Sequence, residues 1–172
     1  YLPEQDRVSY SKRRLESQLC SLYGGRLAEL MIFGEDHVTT GASNDIERAT
    51  DLARKMVTKW GLSNKMGPLT YGEEDDQPFL GHSFGRNSAK PYSEKVATEI
   101  DDEVRSIIDF NYKKAKKLLK DNEDILHSMS EALMKYETID ALQVDDLMAR
   151  TKVREPEGWS DQSKGGPKSS KK

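Results

Sequence analysis

Cysteine occurs once in this chain of 172 residues, as Cys20, so no internal disulfide can form and packing and hydrogen bonds must hold the fold. A single thiol fits a reducing compartment, and inside a helical pattern Cys20 reads as a buried or half-buried small apolar group. No apolar run approaches the roughly 18 residues that a membrane span needs. The opening Tyr1-Leu2-Pro3-Glu4-Gln5-Asp6 has neither an initiator Met nor a basic stretch ahead of an apolar one. It reads neither as a signal peptide nor as a natural start, and residue 1 is expected to be a cut within a longer protein. Excess positive charge is missing too. Residues 162–172 hold four lysines and no acid, so setting them aside from a net charge of −3 leaves −7 on residues 1–161. An acidic body argues against nucleic acid as a partner.

The histidines, His37, His82 and His127, show no HxxxH or HxH spacing, and HExxH, CxxC and GxxxxGK[ST] do not occur. Each absence removes a self-contained chemistry: a two-histidine zinc helix, a thiolate metal site and a phosphate-cradling loop. His127 lies beside an apolar stripe and is expected to be a packed, satisfied side chain.

What is present is 35% apolar and 33% charged residues, a profile for one domain with a modest core. Residues 1–7 read as the end of an extended segment, with Pro3 suiting a strand exit or edge. A helix follows from Ser9 or Ser11, with Leu15, Leu19, Leu22 and Tyr23 at helical spacing, continued by Leu27, Leu30 and Met31 and stopped by Gly34. Gly24-Gly25 interrupts it, at a cost of roughly 1 kcal/mol each against Ala, which a closely packed second backbone would justify. A second helix starts at Ser43 or Asn44, where Asn44 and Glu47 have capping-box spacing. Its stripe is Ile46, Ala49, Ala53, Met56 or Val57, and Trp60, with Gly61 at the stop.

Residues 67–85 suggest a loose hairpin or ordered loop, with Pro68-Leu69-Thr70-Tyr71 and Phe79-Leu80-Gly81 as its apolar pieces. Ser93 then caps a long helix with Val96, Ile100, Val104, Ile107, Ile108, Ala115, Leu118 and Leu119 inward. Its lysine-rich end, Lys113 to Lys120, is a solvated helix terminus that complements the helix dipole. A further helix places Ile125, Leu126, Met129, Leu133 and Met134 on one side, the methionines as core filler. A short helix over 140–149 ends the fold. The expected class is mainly α: a helical bundle with a small β hairpin or edge-strand element. Residues 1–159 form the folded part, and 160–172, all Gly, Pro, Ser and Lys among a few polar residues, form a disordered basic tail.

Two carboxylates stand out. In Thr39-Thr40-Gly41-Ala42-Ser43-Asn44-Asp45, Asp45 falls in the first turn of the second helix. A carboxylate there complements the positive helix end, and equally a rigid helix start can hold it toward a metal, since Zn²⁺ accepts Asp oxygen at about 2.0–2.2 Å. Glu29, in Gly24-Gly25-Arg26-Leu27-Ala28-Glu29, is either solvated or turned toward a site, orienting a metal-bound histidine. A zinc site needs three or four protein ligands, so these residues alone do not complete one.

These stretches resemble a known family. Leu22-Tyr23-Gly24-Gly25-Arg26-Leu27-Ala28-Glu29 followed by Thr40-Gly41-Ala42-Ser43-Asn44-Asp45 is similar to the proteolytic domain of the FtsH family of membrane-anchored, ATP-dependent zinc metalloproteases, bacterial members above all. The similarity continues through Ala53-Arg54-Lys55-Met56-Val57-Thr58-Lys59-Trp60-Gly61 and Ala132-Leu133-Met134-Lys135-Tyr136-Glu137-Thr138-Ile139. The resemblance implies zinc as cofactor, held by two histidines of an upstream HExxH helix and by Asp45 as third ligand. It makes Glu29 a supporting residue or a weaker alternative ligand, and Tyr1, Leu2 and Pro3 the end of a substrate-pairing strand. It implies protein substrates, ATP in a separate ATPase domain, a homo-hexamer, and a parent at the cytoplasmic face of the bacterial inner membrane, anchored through a segment outside this chain. Without HExxH the chain alone is expected to be inactive. The alternative is a non-catalytic module that assembles with full-length subunits.

Overall fold

The computed structural model describes residues 9–71 and 92–156. The expected substrate-pairing residues Tyr1, Leu2 and Pro3, the second arm of the expected hairpin, His82 and the basic tail 160–172 lie outside them. Six α-helices run in order: α1 (Lys12–Leu22), α2 (Gly24–Phe33), α3 (Ser43–Thr58), α4 (Glu94–Asp121), α5 (Glu123–Tyr136) and α6 (Ala141–Met148). Two 3-10 turns, Glu35–His37 and Thr40–Ala42, join α2 to α3. Among the described residues there is no strand, which corrects the β element. The arm at Pro68 to Tyr71 instead folds back on α3: the Tyr71 N–H donates to Thr58 O at 2.8 Å and its hydroxyl to Met66 O at 2.9 Å. These bonds take up backbone acceptors that a sheet ladder would otherwise have to satisfy.

The chain divides into two compact units, Tyr1–Leu119 and Lys120–Lys172. In the first, Ser11 caps α1 by accepting from Arg14 N. The break that Gly24-Gly25 introduces falls at Tyr23, which ends α1 and leads into α2. Among the described residues no backbone packs on the two glycines: a Cβ at either would meet nothing within 4 Å. Gly34 ends α2 at φ +80° and Gly61 follows α3 at φ +57°, where a Cβ would stand 2.8 Å from Pro68 Cα. Leu15 and Leu19 of α1, Leu27 of α2, Ala49, Ala53, Met56 and Val57 of α3, and Ile100, Val104 and Ala115 of α4 form one buried cluster. Alanines on the inner face of α3 let its backbone approach α1 closely. Ile46, Trp60 and Leu118, expected inside, are exposed.

A polar residue sits within this core. Asn111 of α4 is buried, donates from Nδ2 to Ile107 O at 2.8 Å, and accepts from the Cys20 thiol at both its backbone and side-chain oxygens. Cys20 is half-buried, as expected, and burial pushes its pKa up.

The second unit has a smaller cluster: Ile125, Ala132, Tyr136 and Leu147, with Met129, Ile139 and Val153 against it. The inward stripe of α5 is therefore 125, 129, 132 and 136, a regular i, i+4, i+7, i+11 series. Leu133 and Met134 face out, Met134 at 85% exposure, which corrects their placement as core. His127 is exposed as well, with Nε2 3.8 Å from Glu123 Oε1, and is not the packed histidine expected. Asp140 and Gln143 form a capping box at the start of α6.

Candidate metal centre

The segment that leads into Asp45 is built from the bottom by one residue, Thr39. Its backbone is extended (φ −98°, ψ 172°) and its hydroxyl caps the 3-10 turn Thr40–Ala42 by accepting from Gly41 N at 3.2 Å. That same hydroxyl donates to the Glu29 carboxylate, 3.0 Å from Oε1 and 3.2 Å from Oε2, and the Thr39 N–H donates to Glu29 Oε2 at 3.1 Å. The Thr39 carbonyl accepts from Arg26 Nη1 at 3.0 Å. Arg26 and Glu29 are three residues apart on α2 and so share a face. Between them they occupy every polar group of Thr39. The close approach depends on Gly41: a Cβ there would lie 3.2 Å from Thr39 Oγ1.

The turn passes directly into α3. Ser43 donates its hydroxyl to Thr40 O at 2.7 Å, and Ala42 is buried beneath. The N-cap position of α3 is Ala42, with no side-chain cap bond, so the Asn44–Glu47 capping box does not form and Thr39 does the capping one turn earlier. Asp45 follows in the first turn of α3. Its side chain is 45% exposed, and its ion pair with Arg48 is long, 3.9 Å, between two solvated groups. Such a pair contributes little and is readily exchanged for a stronger partner.

The donor set fits a metal that takes one carboxylate oxygen from this chain. Asp45 is held on a rigid helix start with its oxygens uncommitted to a short bond, whereas both Glu29 oxygens are already engaged by Thr39. Among the described residues no three His, Cys, Asp or Glu side chains come together as a metal-binding group, and His37, in the 3-10 turn Glu35–His37, is exposed. Reading the sequence alone overlooked Arg26 and Thr39. The signal available was the shared face of Arg26 and Glu29.

The sequence profile of peptidase family M41 matches residues 1–147. The chain is 59% identical to the ATP-dependent zinc metalloprotease FtsH of Photobacterium profundum over 94% of its own length and 23% of that protein's. It is 56% identical to the protein of the same name from Buchnera aphidicola, over 92% of this chain and 26% of the relative. For the Haemophilus influenzae protein the figures are 51%, 94% and 25%. The chain thus spans about a quarter of the length of these curated relatives.

Proposed function

The chain belongs to peptidase family M41, the FtsH-type zinc metalloproteases, and from that membership we propose that it supplies the carboxylate ligand of a zinc-peptidase centre through Asp45. The observation that carries the reading is the local geometry: an exposed carboxylate in the first turn of α3, at the end of a turn tethered to α2. Zinc bound there would lower the pKa of a bound water and polarise the scissile carbonyl. The remaining ligands come from an HExxH helix, which these 172 residues do not contain. On this reading Glu29 acts as a supporting residue, its carboxylate accepting from the Thr39 N–H and hydroxyl.

The parent protein on this reading is an ATP-dependent, membrane-anchored metalloendopeptidase that degrades unfolded or membrane proteins and assembles as a hexamer. The names of the relatives support the zinc, ATP and protease parts of that statement. No helix among the described residues is long and apolar enough to cross a membrane, so the anchor on this reading lies outside them. Substrate pairing through Tyr1, Leu2 and Pro3 is part of the same proposal.

The chain by itself is expected to be inactive toward casein-like substrates and to retain no stoichiometric zinc after dialysis at neutral pH. One carboxylate falls short of the three or four ligands that a stable site requires. Metal analysis after dialysis checks this, and one zinc per chain would overturn it.

A further inference from the structure

We propose that Arg26, Glu29 and Thr39 form a three-point clamp that positions Asp45 for metal binding. The inference rests on the reading of Asp45 as a zinc ligand and adds what holds it there. Thr39, which caps the 3-10 turn, has its N–H, C=O and hydroxyl all bonded to side chains of α2 or to the turn itself. The N–H and the hydroxyl both donate to a carboxylate and the carbonyl accepts from a guanidinium, and charge-assisted bonds are shorter and about twice as strong as neutral ones. The hydroxyl transmits the grip onward: its proton goes to Glu29, which leaves its lone pair for Gly41 N–H. From Gly41 the path to Asp45 contains no loose element, because Ala42 is buried and Ser43 is bonded back to Thr40. α2 is in turn fixed through Leu27, fully buried in the main cluster. The clamp therefore refers the first turn of α3 to the hydrophobic core.

A site of this kind responds to loss of its supporting bonds. Partners bonded directly to a metal ligand typically alter affinity by about 10–100-fold when removed, and the clamp, which reaches Asp45 only through the backbone after Gly41, falls at the low end of that range or below it. All three clamp members are positioning residues, none of them touching the metal.

The test uses the full-length protease that carries this sequence, with zinc affinity measured by chelator competition and folding followed by thermal melting. Thr39→Val keeps shape and removes the hydroxyl. Arg26→Met removes the grip on the carbonyl. Each is expected to weaken zinc binding by up to about 10-fold with little change in melting temperature, while Thr39→Ser keeps the wild-type affinity. Wild-type affinity in Thr39→Val and Arg26→Met, alongside zinc loss in Asp45→Asn, would overturn the clamp and leave the ligand assignment standing. Full zinc retention by Asp45→Asn would remove the assignment and the clamp with it. If Thr39→Val does not fold, Arg26→Met makes the same comparison from the other side of the residue.

Discussion

The larger unit buries a cluster of leucines, alanines, Met56, Val57 and Ile100 drawn from α1 to α4. In the smaller one, Lys120–Lys172, the buried apolar residues among those described are Ile125, Ala132, Tyr136 and Leu147. It compensates with directed bonds. Arg150 grips Asp124 through Nε and Nη2 at 2.7 and 3.2 Å. Arg154 grips Asp146 through Nε and Nη2 at 2.7 and 2.6 Å, and its own N–H also donates to Asp146 Oδ2. Bidentate geometry fixes an orientation as well as a contact. The difference follows from size, since a short segment cannot bury enough apolar surface to define its path. The larger unit uses ionic grips as well, between Arg54 and Asp101 at 3.1 Å and around the Thr39 turn.

The comparison predicts where each unit fails. Leu19 is fully buried in the larger cluster, and Leu19→Ala is expected to lower stability by about 2–5 kcal/mol, measured by urea unfolding. A loss under about 1 kcal/mol would mean that this unit does not depend on its apolar core. In the smaller unit the corresponding test is Gln143→Leu. Gln143 is buried, accepts from Asp140 N at 3.0 Å and donates to Arg154 O at 2.9 Å. Its replacement strands both backbone groups and is expected to cost about 1–3 kcal/mol, with amide exchange accelerating in α5 and α6. Unchanged exchange there would show that directed bonds do not define this unit.

The mildest test is acid. Arg154 holds Asp146 down from an ordinary 3.8 to about 2, and Arg150 lowers Asp124 in the same direction. Between those pH values the unfolded chain takes up a proton at Asp146 that the folded chain refuses. Stability from this pair is therefore fully present above about pH 4 and is lost as pH falls through about 2. A carboxyl titration by NMR is expected to give a midpoint near the low value. Arg154→Gln is expected to return it toward the ordinary one, and an ordinary midpoint in the native chain would remove the Arg154 lock from the account.

Much of this is legible in the sequence. Ser11, Ser93 and Asp140 stand where caps belong, and Gly34 and Gly61 where helices stop, because caps and stops are decided within one turn of the chain. Asp45 in the first turn of α3 is legible for the same reason. The grip of Glu29 on Thr39 is not, since it joins residues ten apart through a path set by tertiary packing. Periodicity misplaces Leu133 and Met134 because hydrophobicity outweighs phase: the true stripe of α5 runs through the small Ala132 and the amphipathic Tyr136. Asn111 and Gln143 look like surface residues by type, and only their bonding partners make burial tolerable.

Gln143 has a further consequence. Its carboxamide receives one main-chain N–H and offers its own N–H to a main-chain carbonyl, which is what a peptide unit of a neighbouring strand would do. A side chain thus serves as a detached piece of backbone, stitching residue 140 to residue 154 in a unit where the described residues include no strand. Only this amide has the right polarity at both ends: Gln143→Glu would set an oxygen against the Arg154 carbonyl, and Gln143→Met would serve neither group.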